Sequence, residues 1–350
     1  MFNTAALRDF FRRLPKVDLH RHLEGSLRFE TLMELARTQS ITVPLNPNLR
    51  SLVQMTVDDP LNFTTFLSKF QTLRLFYLSP EIIQRVAYEA VADAAADNVR
   101  YLELRFTPVA LSRARGFPMH EVMDWVCDST ARAARDYPIV VRLIASVNRH
   151  EAVSLAEEVV GYAAERISRG VVGIDLAGNE AEFSAAPFAG LFREARQAGL
   201  RLCAHAGEWN GPQNVREAIQ ILGADRIGHG VRVLEDEDVT ALAAERNLPF
   251  EVCVTSNYQT GVVAMLTDHP LIRMLNASLN VTINTDDPSI SGITLSDEYR
   301  IVCRDLGLPR QIMVERILAA AQASFLPDAQ KARLVQGLSG ELDKVNWLLP

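Results

Sequence analysis

Short apolar runs rich in β-branched residues recur along this chain and alternate with stretches of helical spacing. The pattern predicts strands at Val17–His20, Tyr101–Phe106, Ile139–Ser146, Val171–Leu176, Arg201–His205, Arg226–His229, Phe250–Val254 and Asn280–Thr285. Helices are predicted at Pro80–Asp97, Met119–Asp136, Ala152–Arg169, Ala185–Gly199, Gln213–Gly223 and Asp236–Arg246. Many of the strand runs are apolar almost throughout, as strands covered on both faces should be. Strands alternating with helices predict a parallel sheet. An open doubly wound sheet and a (β/α)8 TIM barrel both satisfy that pattern. The strand count favours the barrel, and so do the polar clusters at the C-terminal strand ends: HRHLEG, TP, LAGNE, HAGE, GHG, TSN and TDDP. A barrel gathers these at one mouth, whereas an open sheet spreads them along an edge.

The connection after the first strand is the longest and is expected to be a helical insertion. It carries Phe63, Phe66, Leu67 and Phe70 at i, i+3, i+4 and i+7, one apolar helical face. That face either packs on the barrel or covers its mouth. The chain of 350 residues is read as a single domain over residues 1–350, since α/β barrels reach this size.

Composition excludes more than it names. The formal net charge is −7 and no basic run stands out, which argues against nucleic-acid binding. No segment has the roughly 20 apolar residues that span a bilayer. The N-terminal MFNTAALRDFFRRLPK lacks the basic-then-apolar order of a signal peptide. Cys127, Cys203, Cys253 and Cys303 form no CxxC pair. A reducing, cytoplasmic setting is the expectation, with the oligomeric state left open.

His20 and His22 alternate on one strand and so share a face. His205 and His229 end two further strands, so four of the seven histidines fall at one mouth. Asp286 and Asp287 follow the last strand, which neighbours the first in a closed barrel. An acidic pair before Pro288 is often only a turn or helix cap. His20, His22, His205 and Asp286 nevertheless make a nitrogen and oxygen set that suits one Zn2+ per chain. A metal there would bring the pKa of bound water to about 7. Glu208, just past His205, is a candidate proton shuttle, with a helix N-terminal acid as the plainer reading. His229, flanked by glycines that leave room for a ligand, is a candidate base or polarising group. HExxH, P-loop, GxSxG and HxE/PCxxC signatures do not occur.

LPKVDLHRHLEGSLR, FLSKF, YLELRFTP, GIDLAGNE, HAGE, RIGHG, EVCVTSN and INTDDPSIS occur in that order. Together they make the chain resemble the adenosine deaminase family of metal-dependent amidohydrolases. The resemblance implies a one-zinc (β/α)8 barrel that hydrolyses a purine 6-amino group. By motif, His20, His22, His205 and Asp286 would be ligands, Glu208 would protonate ring N1, and His229 would orient the attacking hydroxide. Gly178 would meet N3 and Asp287 N7. His22, Glu24 and the Phe63, Phe66, Leu67 and Phe70 face would also line the substrate. Glu24 departs from the family, where an aspartate usually contacts ribose; glutamate there looks like adenine deaminases and other subgroups. Against adenine deaminase, the chain has RIGHG rather than RIDHG.

The leading expectation is therefore deamination of adenosine and 2′-deoxyadenosine. Adenine, 6-aminodeoxyfutalosine or an N6-substituted adenine nucleotide are alternative substrates. A catalytically dead binding or signalling barrel is the rival from another class, disfavoured by the intact residue set.

Overall fold

The structure is a computed structural model describing residues 4–39, 41, 48–345 and 347. Eight parallel strands pair in sequence order: β1 Lys16–His22, β2 Val99–Phe106, β3 Val140–Asn148, β4 Val171–Ala177, β5 Arg201–Ala206, β6 Arg226–His229, β7 Pro249–Val252 and β8 Asn280–Ile283. The seam between the last and first strands closes just past β8. There the His22 N–H donates to Asp286 O (2.8 Å) and the Asp286 N–H to His20 O (2.7 Å). The expected (β/α)8 TIM barrel is thus the fold, and its closure seam runs through the ligand candidates themselves.

Helices cover the barrel as the periodicity predicts. Pro80–Ala96 starts with Pro at its first turn and buries Ile82, Ile83, Val86, Ala87, Ala90 and Val91. It packs against Met119–Asp136. The predicted Gln213–Gly223 helix begins α-helical at Pro212–Glu217 and finishes as a π turn, Ala218–Leu222, stopped by Gly223 at φ +67°. Two strand ends differ from expectation. β7 stops at Val252, and Val254–Gln259 turns into a short helix. Its first N–H groups are taken by Glu298, whose carboxylate accepts from Val254 (2.9 Å) and Thr255 (3.1 Å). β8 stops at Ile283 rather than Thr285. Thr285 instead bonds Asp18 through its hydroxyl (2.6 Å).

The insertion after β1 contains the helix Phe63–Leu73, capped by Asn62, whose side chain accepts the Thr65 N–H (2.8 Å). Its Lys69, buried against the insertion, donates to Ser51 O (2.6 Å) and pairs with Asp59 (3.0 Å). The insertion is tied to the mouth by the Met55 N–H donating to Ile290 O (2.7 Å). Among the described residues, no helix is long and apolar enough to cross a membrane, and the four cysteines are free, three of them buried.

Candidate active site

The C-terminal ends of the strands form a mouth with a cavity of about 470 Å³. His20 and His22 share one face of β1, as their alternation requires, and His22 lines the cavity. Their Nε2 atoms lie 3.3 Å apart, and each is 3.3 Å from Asp286 Oδ1. His205 reaches in from β5, and one ligand atom from each of these four residues falls within 4.8 Å of every other. The hydrogen bonding behind the rings decides what the convergence means. Glu251 Oε2 accepts a hydrogen bond from His20 Nδ1 (2.8 Å), and Asp175 Oδ1 accepts one from His205 Nδ1 (3.1 Å). The facing Nε2 atoms therefore carry lone pairs, and they meet a carboxylate oxygen. Acceptors gathered this way suit a cation between them, so the four groups could hold a metal ion.

Asp286 holds its position through a backbone φ of +64°, uncommon for a residue with a side chain. His229 does the same at φ +59°. Its ring lies 4.7 Å from that of His20, centroid to centroid, and its Nε2 is 3.7 Å from Glu208 and 3.9 Å from Asp286. The glycines beside it do not leave space for a ligand, as the sequence suggested. A Cβ on Gly228 would stand 3.0 Å from His20 Cε1, and one on Gly230 would strike the Phe250 ring at 2.3 Å. They let the strand end pass close to neighbouring side chains. Asn257 sits behind His229, with its amide nitrogen 3.1 Å from His229 Nδ1.

Glu208 does not cap a helix. Its carboxyl is buried in the mouth, and burial pushes its pKa well above the usual carboxylate range, helped by the charges of Asp286 and Glu180. Glu180 accepts the N–H groups of Gly207 (2.8 Å), Glu208 (2.6 Å), Trp209 (2.7 Å) and Asn210 (3.2 Å), so one buried carboxylate shapes the whole HAGE turn. Asp287 is likewise raised by burial, then by Asp286, Glu24 and Glu208, and its Oδ1 has no hydrogen-bond partner. That atom is where a Cβ on Gly25 would fall, 1.8 Å away, which explains the glycine of HLEG.

Phe63, Phe66, Leu67 and Phe70 all line the cavity, as do Gly178, Glu24 and Arg74. Phe66 is buried and Leu67 is 40% exposed, so the stripe both packs and covers. Phe63 meets Trp209 across the mouth with ring centroids 3.8 Å apart. Trp209 is absent from the sequence-derived set, although it directly follows HAGE. Glu24 is buried and spends one oxygen on the Thr107 N–H (2.6 Å).

Beneath the candidate metal site lies a set of buried charges that sequence reading did not single out. Glu251 also accepts from Arg105 Nη2 (2.7 Å) and Arg226 Nε (2.6 Å). Arg105 pairs with Asp175 (3.3 Å), and Arg226 with Glu103, which also accepts from the Tyr101 hydroxyl (2.6 Å). The signal for them is a charge inside an otherwise apolar strand: YLELRF, GIDLA, RIG and FEV.

Comparison with known proteins agrees with this geometry. The adenosine deaminase family profile matches residues 15–340. An adenosine deaminase of Serratia proteamaculans is 38% identical over 333 residues, covering 94% of this chain and 99% of that protein. An amidohydrolase from Burkholderia ambifaria, solved with bound Zn, superposes with a TM-score of 0.90 at 28% identity over 99% of this chain and 95% of that one. The adenine deaminase of Arthrobacter aurescens gives 0.86 at 29% identity, over 94% and 99%. With a match of this extent, a closed barrel and a cluster of three histidines and one aspartate that could hold a metal, the chain belongs to the adenosine deaminase family and is a hydrolytic deaminase.

Proposed function

We propose that the chain is a zinc-dependent aminohydrolase acting on adenosine and 2′-deoxyadenosine, yielding inosine or 2′-deoxyinosine and ammonia. The observation that supports this reading is that Glu208, His229 and Asp287 line one cavity with the candidate ligands His22, His205 and Asp286. Three imidazoles and a carboxylate suit zinc, which when bound makes water a nucleophile at neutral pH.

The chain's own groups account for the rest. Glu208, kept protonated by burial, donates to purine N1, which takes up the electron pair as oxygen adds to C6. His229, whose pKa burial lowers, stays neutral and offers an N–H to that oxygen. Asp287, protonated and unpartnered at Oδ1, donates to the N7 acceptor. Gly178 offers its backbone to N3, and the Phe63, Phe66, Leu67 and Phe70 face covers the purine. When the C6–N bond breaks, one proton of the water leaves with ammonia and the other restores Glu208.

A nucleotide reading is favoured by Arg74, which lines the same cavity near Glu24. Loss of the 6-amino absorbance on adenosine, 2′-deoxyadenosine, adenine, N6-methyl-AMP and 6-aminodeoxyfutalosine tests both. The two nucleosides are expected to give the highest kcat/KM, in enzyme containing about one zinc per chain. A tenfold preference for N6-methyl-AMP would transfer the assignment to the nucleotide and to Arg74. A cytoplasmic location fits the free thiols.

A further inference from the structure

Behind His229 the hydrogen bonds continue inward to a second buried histidine. Asn257 Oδ1 lies 3.3 Å from His269 Nε2, and His269 Nδ1 lies 3.1 Å from the backbone nitrogen of Leu271. Asn257 is fully buried and His269 is 4% exposed, so water does not stand in for these partners. The direction of the whole chain follows from its inner end. A backbone N–H can only donate, so His269 Nδ1 is an acceptor and its proton sits on Nε2. That N–H must donate to Asn257, which fixes the amide with oxygen toward His269 and nitrogen toward His229. The Asn257 amide then donates to His229 Nδ1 (3.1 Å). His229 is left with its proton on Nε2, the atom that faces Glu208 and Asp286.

We propose that His269 and Asn257 are positioning residues that set the tautomer of His229, so that its Nε2 presents a hydrogen-bond donor to the reacting oxygen. The left-handed backbone at His229 aims the ring, and the Leu271–His269–Asn257 chain decides which of its nitrogens carries the proton. His269 does not line the cavity and lies twelve residues beyond Asn257 of the TSN motif, in DHPLIRML. It therefore acts only through Asn257.

The inference rests on the deaminase reading of His229, but a tautomer can be measured without substrate. Zinc-loaded protein labelled with 15N in its histidine rings would be recorded by long-range proton–nitrogen NMR. His229 is expected to show a bare Nδ1 and a protonated Nε2, and His269 the same. His269→Phe is expected to populate both His229 tautomers and to lower kcat about 10–100-fold with KM changed less than about threefold. His269→Gln, whose amide can accept from Leu271 and donate to Asn257, is expected to restore most of the turnover. Asn257→Asp, which cannot donate, is expected to move the His229 proton to Nδ1 with zinc content retained. A wild-type His229 protonated at Nδ1 overturns the proposal. So does a folded His269→Phe with an unchanged tautomer and kcat. If His269→Phe does not fold, the wild-type tautomer and His269→Gln remain decisive. Failure of the substrate assignment would show instead as the expected tautomers in a protein inactive on every 6-aminopurine.

Discussion

The interior of the barrel below the candidate metal site and the rim above it are built on opposite terms. Below, Glu103, Arg226, Glu251, Arg105 and Asp175 are essentially without exposure, and each charge faces one of opposite sign. The set ends against the C-terminal end of the helix Arg310–Ala323 and the residues just after it. There Arg226 donates to Ala323 O (2.8 Å) and stacks 3.6 Å over the Phe325 ring. Above, the Phe63–Leu73 helix meets the mouth through rings and methyl groups, two of whose four positions stay half-buried. Polar partners are directional and every one is needed, so the interior has one arrangement. Apolar contact is tolerant, so the rim can be altered without touching the chemistry. The difference says that reaction type is held by buried ion pairs and substrate shape by a replaceable cover.

The strongest way to break that comparison is to remove the common partner. Glu251→Ala leaves Arg105 and Arg226 short of a counter-charge and His20 without its acceptor. Loss of about 3–5 kcal/mol of stability is expected from an uncompensated buried charge, together with metal affinity about 10–100-fold weaker. Chemical denaturation and metal titration measure the two. A variant as stable as the parent would mean that the interior charges are solvated and the contrast with the rim is false. Glu208→Gln separates chemistry from support: turnover is expected to fall about 10²–10⁴-fold with the metal retained and stability unchanged, because a proton donor is lost and a hydrogen-bonding shape is kept. Near-normal turnover would remove Glu208 from the acid role.

Glu298 sharpens the contrast from inside, because it is a buried acid answered by backbone N–H groups and, among the described residues, by no cation. Burial pushes its pKa up to about 8. The folded protein then holds a proton that the unfolded chain releases near the ordinary glutamate value of about 4.3. Stability contributed this way is full below that value, declines as pH rises toward 8 and is flat above it. Glu298→Gln removes the proton uptake while its carbonyl still accepts from Val254 and Thr255. Its Tm is expected to fall less than the parent's between pH 5 and pH 8, the gap widening with pH. Parallel Tm curves would show that Glu298 is ionised in the fold.

What could be seen in the sequence follows the same division. The eight strands were visible because strands covered on both faces leave long apolar runs, and the ligands because they stand where those runs end. The interior charges were visible only as anomalies. Glu251 in FEV and Arg105 in ELRF are unexpected in buried strands, but their pairing spans 146 positions and depends on β2 and β7 facing one another through the barrel. The end of β7 was misplaced for a related reason. Val252, Cys253 and Val254 read as a continuing strand, and the carboxylate that ends it, Glu298, lies on a helix 44 residues away. Trp209 carried no pattern of its own, since its ring partner Phe63 sits in the insertion.

The smallest effect belongs to the rim, and it is the finest test of the contrast. Leu67 is the most exposed of the four apolar positions over the cavity, and the helix that carries it is fixed on its other side by Lys69 and Asp59. Leu67→Ala removes methyl groups that a bound purine would cover while leaving that anchor in place. The lost contact is worth about 1 kcal/mol, which corresponds to KM about fivefold higher with kcat unchanged. Stability should hardly move, because an exposed leucine contributes little to the core. Steady-state kinetics on adenosine distinguish the cases. A rise in KM alone means that the cover binds ground state and transition state equally. A fall in kcat at constant KM would mean that the Phe63–Leu73 helix presses the purine against Glu208 and His229. In that case the rim would share in the chemistry, and the division between a fixed floor and a replaceable cover would fail.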